Sequence, residues 1–281
     1  MPWLACGRGT RRASLEPPGA EASALAGPRE IAGAIGATYS ALRLSQIALA
    51  QVERWSSQNV RYGELFVSTI LGQIADDGAL CAWFRALGAA IQALPQPPRV
   101  NFVLCLGRNK LARNLPRLLH LARPGVIAGI SVAGDELACS IRDLAGPLAE
   151  LRAQGLGIEI HAGEQGGPES VWNALEHGRP RRIGHGVHAF EDPALVARLA
   201  ESGVHLQFCP TSDLSLGVIR AIDELPLPQA FAAGISFSIS SDDPGVFGCS
   251  LSSELELVTR TFGLELPQLM QIYDNACVAA F

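Results

Sequence analysis

The chain has 281 residues, 48% of them hydrophobic, and a formal net charge of −5. That length suits one large α/β domain or two small ones and is ample for a core. The mild acidity argues against nucleic acid or an anionic membrane as the main partner, and no apolar run approaches the roughly 20 residues of a membrane span. Cys6, Cys81, Cys105, Cys139, Cys209, Cys249 and Cys277 are scattered, odd in number and never spaced CxxC. Neither a disulfide framework nor a thiolate zinc motif follows, and a reducing compartment, the cytoplasm, is the expected location.

Residues 1–36 are rich in Gly, Ala, Pro, Ser and Arg without a sustained period, so a disordered or poorly ordered segment is expected there. Leu44, Ile47, Ala48, Val52 and Trp55 then fall at helical spacing and predict an amphipathic helix. Strand candidates follow at 59–67, 100–106, 126–132, 157–162, 181–187, 204–209 and 235–240. Between them lie helical segments such as Leu144–Ala153, Pro168–His177 and Pro193–Glu201. Pro168 suits a helix's first turn, and Gly178 suits the position just past its end. Strands alternating with helices in this way mean βαβ units and a parallel sheet over residues 37–281. Seven strands could belong to a doubly wound sheet or to a (β/α)8 barrel one strand short.

The strand ends choose between these. "AGDE" (133–136), "HAGE" (161–164), "GHGV" (184–187), "CPTSD" (209–213) and "SSDDP" (240–244) each close an apolar run with polar or glycine-rich residues. In a parallel barrel all such ends meet at one mouth, whereas a doubly wound sheet gathers only those beside its switch point. Five polar tips therefore favour the barrel. Two adjacent acids, Asp242 and Asp243, repel each other and lose hydration at a strand end unless a cation compensates. A histidine and an aspartate from different strands suit Zn²⁺. His120, His177, His188 and His205 have surface, helix-end or core explanations.

In order and spacing, "HAGE", "RIGHGV", "CPTSD" and "SSDDP" resemble the adenosine deaminase family of the amidohydrolase superfamily, with "VRYGELFVS" and "ISVAGDE" similar to its second and fourth strands. The likeness covers residues 40–281. It implies a TIM-type barrel and a zinc-activated water that converts adenosine, a small-molecule purine nucleoside, to inosine and ammonia. It makes His161 and Asp242 zinc ligands and Glu164 the acid that protonates purine N1. His185 would orient and deprotonate the zinc-bound water, Asp243 would bond N7, and the Gly134 backbone would hold N3. The lack of a lysine after "VAGDE" fits one metal rather than two.

Two departures stand out. The family's first strand carries an HxH pair of zinc ligands, yet no histidine precedes His120, and the chain stops at "DNACVAAF" inside an apolar helical segment without a cap. Asp213 also stands where the family usually has asparagine. The expectation is an α/β barrel that is incomplete, lacking its first strand and truncated in its last helix. Its motifs would have been selected in a longer parent protein. The alternatives are an inactive deaminase-like remnant, a deaminase for adenine or 6-aminodeoxyfutalosine, and another barrel hydrolase using His161, His185 and Asp242.

Overall fold

Parallel neighbours need a crossover longer than a hairpin, and the sequence supplies a helix for each. The computed structural model describes residues 39–281. β1 spans Tyr62–Val67, β2 Arg99–Gly107, β3 Gly129–Ala133, β4 Gly157–Ala162, β5 Arg182–His185, β6 His205–Phe208 and β7 Phe237–Ile239. They pair in chain order, every pair parallel. The crossovers include helices Asp77–Gln92, Arg108–Ala122, Ala145–Ala153, Pro168–Asn173, Pro193–Ser202 and Leu227–Ala232. The low-order expectation for 1–36 falls outside the described residues. No described helix is long and apolar enough to cross a membrane.

Side chains alternate between the two faces of each strand. Ile158 and Ile160 on β4, Ile183 on β5, Leu206 on β6 and Phe237 on β7 are all at most 1% exposed and form the layer under the helices. The intervening positions carry polar groups. Ser131, Glu159, Arg182 and His205 lie in register on four adjacent strands. Arg182 Nη1 reaches Glu64 Oε2 at 2.6 Å, although β2, β3 and β4 separate β5 from β1 in the sheet. Such a contact exists only if the sheet curls, so the polar faces line the inside of a barrel. Seven strands are present among the described residues, and β1 and β7 each keep one unpaired edge.

The barrel floor is built around that arginine. Arg182 Nε also donates to Glu159 Oε2 at 2.9 Å, and Phe281 stacks on the guanidinium at 3.5 Å. Cβ atoms at Gly129 and Gly157 would come within 2.4 and 2.2 Å of the Phe281 ring, so glycine at these positions makes room for it. Asn101 Nδ2 donates to the Phe281 carbonyl at 2.7 Å, and the Phe281 N–H donates to Glu64 Oε1 at 2.7 Å. His205 lies between the hydroxyls of Ser236 and Ser238, and burial, helped by Arg182 and Arg181, pushes its imidazole down to about 3.

Local details depart from the sequence expectation. In the helix Ala41–Ser57 the buried residues are Ala48 and Val52, while Ile47 faces solvent. The segment after β4 ends in a wider π-turn, Ala174–Gly178, and Arg179 rather than Gly178 takes the left-handed φ of 46°. Gly178 answers a packing demand instead, since a Cβ there would lie 2.2 Å from Ile160 Cδ1.

Candidate active site

A parallel barrel sends every strand's C-terminal end to the same pole, and the chain places its polar tips there. His161 is the fifth residue of β4, and Gly163, in the left-handed region at φ 71°, turns the chain so that Glu164 follows at the mouth. His185 ends β5 with φ 60°, and Asp242 follows β7 with φ 51°. Non-glycine residues in this region cost on the order of 1–3 kcal/mol and persist where the surroundings impose them. Two of the motif residues are thus held in strained backbone. Gly134, with φ 90°, closes β3 at the same pole.

His185 is the hub. Its Nδ1 lies 2.7 Å from Asp213 Oδ1, its Nε2 lies 3.7 Å from Glu164 Oε2, and its ring centroid is 5.0 Å from that of His161. Asp213 and His185 are 0% and 1% exposed. Burial alone would push the imidazole down, but Glu164 and then Asp213 outweigh it and hold His185 well above the usual histidine range. The Nδ1 contact to a carboxylate fixes Nε2 as the nitrogen facing the mouth.

His161 has its Nε2 3.8 Å from Glu159 Oε1, and Arg108 Nη2 donates to its carbonyl at 2.7 Å. Asp242 Oδ2 accepts from the Ser212 hydroxyl at 2.7 Å. Asp242 and Asp243 both keep an open face to solvent, so the loss of hydration expected there is only partial. The surrounding protein still strips water from the Asp243 carboxyl, and Asp242 repels it, which raises it to about 6.

Ligand atoms gather in two overlapping groups. His161, Glu164 and His185 form one, and His185, Cys209 and Asp242 the other, with the atoms of each within 4.8 Å of one another. His185 belongs to both, while neither group holds His161 and Asp242 together. The first group offers two imidazoles and a carboxylate and the second an imidazole, a thiol and a carboxylate, donor types that each fit a borderline divalent ion such as Zn²⁺.

Sequence reasoning missed the braces around these groups. Glu136 accepts from the N–H groups of Gly163, Glu164, Gln165 and Gly166. Glu254 accepts from Thr211 N at 2.9 Å and from the Thr211 hydroxyl, steadying the short helix Pro210–Ser215 that carries Asp213. Asp213 was visible in its motif but not its partner, and Glu254 lies 43 residues from Thr211 with no local signal.

A protein-family model described as adenosine deaminase matches residues 34–281. The adenine deaminase of Chelativorans sp. (strain BNC1) is 47% identical over 156 residues, covering 56% of this chain and 48% of that protein. That of Sinorhizobium fredii (strain NBRC 101917 / NGR234) is 35% identical over 226 residues, covering 78% and 69%. The chain thus spans about half to two thirds of these relatives' lengths. Among solved structures, an adenine deaminase from Arthrobacter aurescens superposes with a TM-score of 0.76 at 22% identity, covering 89% of this chain and 77% of that one. An amidohydrolase from Burkhoderia ambifaria with bound Zn gives 0.75 at 22% identity, over 86% and 69%. The apo N6-methyl-AMP deaminase from Arabidopsis thaliana gives 0.73 at 22% identity, over 84% and 73%. At that identity the likeness concerns the fold.

Proposed function

The chain belongs to the adenosine deaminase family of the amidohydrolase superfamily, and on that premise we propose that it hydrolyses the 6-amino group of adenine to give hypoxanthine and ammonia. The observation that carries the choice of substrate is the similarity to proteins named adenine deaminase at 47% and 35% identity. The motifs alone favour adenosine; those relatives support the free base.

Zn²⁺ with His161 and Asp242 among its ligands would supply a water whose pKa falls from about 15.7 to around 7. The protein's own groups do the rest. Glu164 stands at the mouth beside His185 and donates a proton to N1 as water adds at C6, removing the negative charge that would develop in the ring. His185, its Nδ1 fixed by Asp213, presents Nε2 to take one proton of the water and pass it to the departing amine, while the adduct's remaining hydroxyl proton returns to Glu164 as the C6–N bond breaks. Beside a bound cation the imidazolium is disfavoured, so the ring enters the reaction neutral. The backbone N–H of Gly134 donates to N3. Asp243, whose carboxyl is raised by burial and by Asp242, would hydrogen-bond N7.

The test is turnover by the purified chain with added Zn²⁺, followed by the change in purine absorbance and by ammonia release. Adenine should be consumed at least tenfold faster than adenosine, a chelator should stop the reaction, and Zn²⁺ should restore it. A zinc-loaded chain that leaves adenine, adenosine and 6-aminodeoxyfutalosine untouched would overturn the deaminase reading. Faster adenosine turnover would overturn the choice of substrate.

A further inference from the structure

A loop with three glycines in five residues, Gly163-Glu164-Gln165-Gly166-Gly167, has little intrinsic reason to hold one shape. Yet Glu164 must keep its carboxyl at one place to deliver a proton. We propose that Glu136, outside the reacting set, is the positioning residue that fixes Glu164 by gathering this loop's backbone onto its carboxylate.

The geometry is specific. Glu136 Oε1 accepts from Glu164 N and Gln165 N, both at 3.0 Å, and Oε2 accepts from Gly163 N at 2.9 Å and Gly166 N at 3.3 Å. The Ser170 hydroxyl also donates to Oε2. Four successive N–H groups turned toward one anion form a backbone nest, and bonds to a charged acceptor are the stronger kind. Glu136 is 7% exposed. Five donors fill the acceptor sites of its two oxygens, which leaves none for substrate; its action is therefore through Glu164.

The glycines fit the same purpose. The left-handed φ of Gly163 turns the backbone out of the strand so that the next N–H groups face inward. A Cβ at Gly166 would come within 2.9 Å of Glu136 Oε2. Glu136 also sits two residues after Gly134, and Arg108 donates to the carbonyls of both Glu136 and His161. One side chain thus ties the β3 loop, proposed to hold N3, to the β4 loop bearing the acid.

The kinetic part rests on the proposed adenine reaction; the spectroscopic part does not. Glu136→Gln keeps the side chain's size but puts an NH₂ where backbone donors point. In the metal-free protein at fixed pH, the imidazole ¹⁵N spectrum of His185 reports the carboxylate 3.7 Å from its Nε2. Glu136→Gln should shift this spectrum toward that of Glu164→Gln while the protein stays folded. With Zn²⁺ and adenine, kcat should fall about 30-fold or more, with KM within about threefold. A folded Glu136→Gln protein with the wild-type His185 spectrum would overturn the proposal. Should Glu136→Gln not fold, Glu136→Asp keeps the charge, loses the reach, and is judged by the same spectrum. Absence of adenine turnover in the wild type would sink the functional reading and leave the spectrum to decide on Glu136.

Discussion

Glu164→Gln should lower kcat for adenine by about 10²–10⁴-fold, the range that a positioned acid or base contributes. KM should change little, because glutamine keeps the shape of the side chain and the loop anchored on Glu136 is untouched. On the proposed mechanism, what is lost is the proton for N1. Without it, addition of water at C6 would leave charge in the ring that no other residue of the proposed set is assigned to neutralise. His185 should also titrate lower in the variant, since Glu164 is the first of the groups that raise it. The melting temperature should stay within about 2–4 °C, equivalent to about 1 kcal/mol in a domain of this size. A variant that deaminates adenine within threefold of wild type removes Glu164 from the reaction.

Arg182→Ala should destabilise the protein by about 3–5 kcal/mol or more, the usual cost of stripping the partner from a buried charge. Here two carboxylates are stranded at once, because Glu64 at 2.6 Å and Glu159 at 2.9 Å both depend on the same guanidinium. Phe281 loses its stacking partner as well. The effect should be read as a lower urea midpoint with an unchanged slope. Replacing Arg182, Glu64 and Glu159 together by Met, Gln and Gln should recover a good part of the loss, since no ion then remains in the floor. Among the described residues Arg182 Nη2 has no hydrogen-bond partner, so the cluster there is imperfectly satisfied. A loss below about 1 kcal/mol for Arg182→Ala would mean that water reaches the barrel floor.

Much of this architecture was legible in the residues. The strands could be read because apolar positions recur every second residue and stop at glycine or a polar tip, a local pattern that the core enforces. Even so, the segment 126–132 begins as a strand only at Gly129, since Val126 and Ile127 pack before β3 pairs with β2. The identity of the polar tips was readable for the same reason. Their mutual arrangement was not, because it depends on curl and register between strands far apart in sequence. The Asp213–His185 pair spans 28 residues and the Arg182–Glu64 pair joins strands that are not neighbours. Gly178 shows the same limit at short range: its position suggested a helix stop, but the side chain of Ile160 decides what fits there. The strain at His185 and Asp242 is likewise a product of the assembled mouth.

Separate strand ends converge so that a bound metal and the Glu164 carboxyl would face one small space. Anomalous diffraction at the zinc edge, from crystals grown with Zn²⁺ and hypoxanthine, tests this most directly. The expected map has one strong peak at the C-terminal pole, bonded to the His161 imidazole and the Asp242 carboxylate, with the purine's N1 edge against Glu164. A peak bonded to neither residue, or a purine lodged away from Glu164, would contradict it.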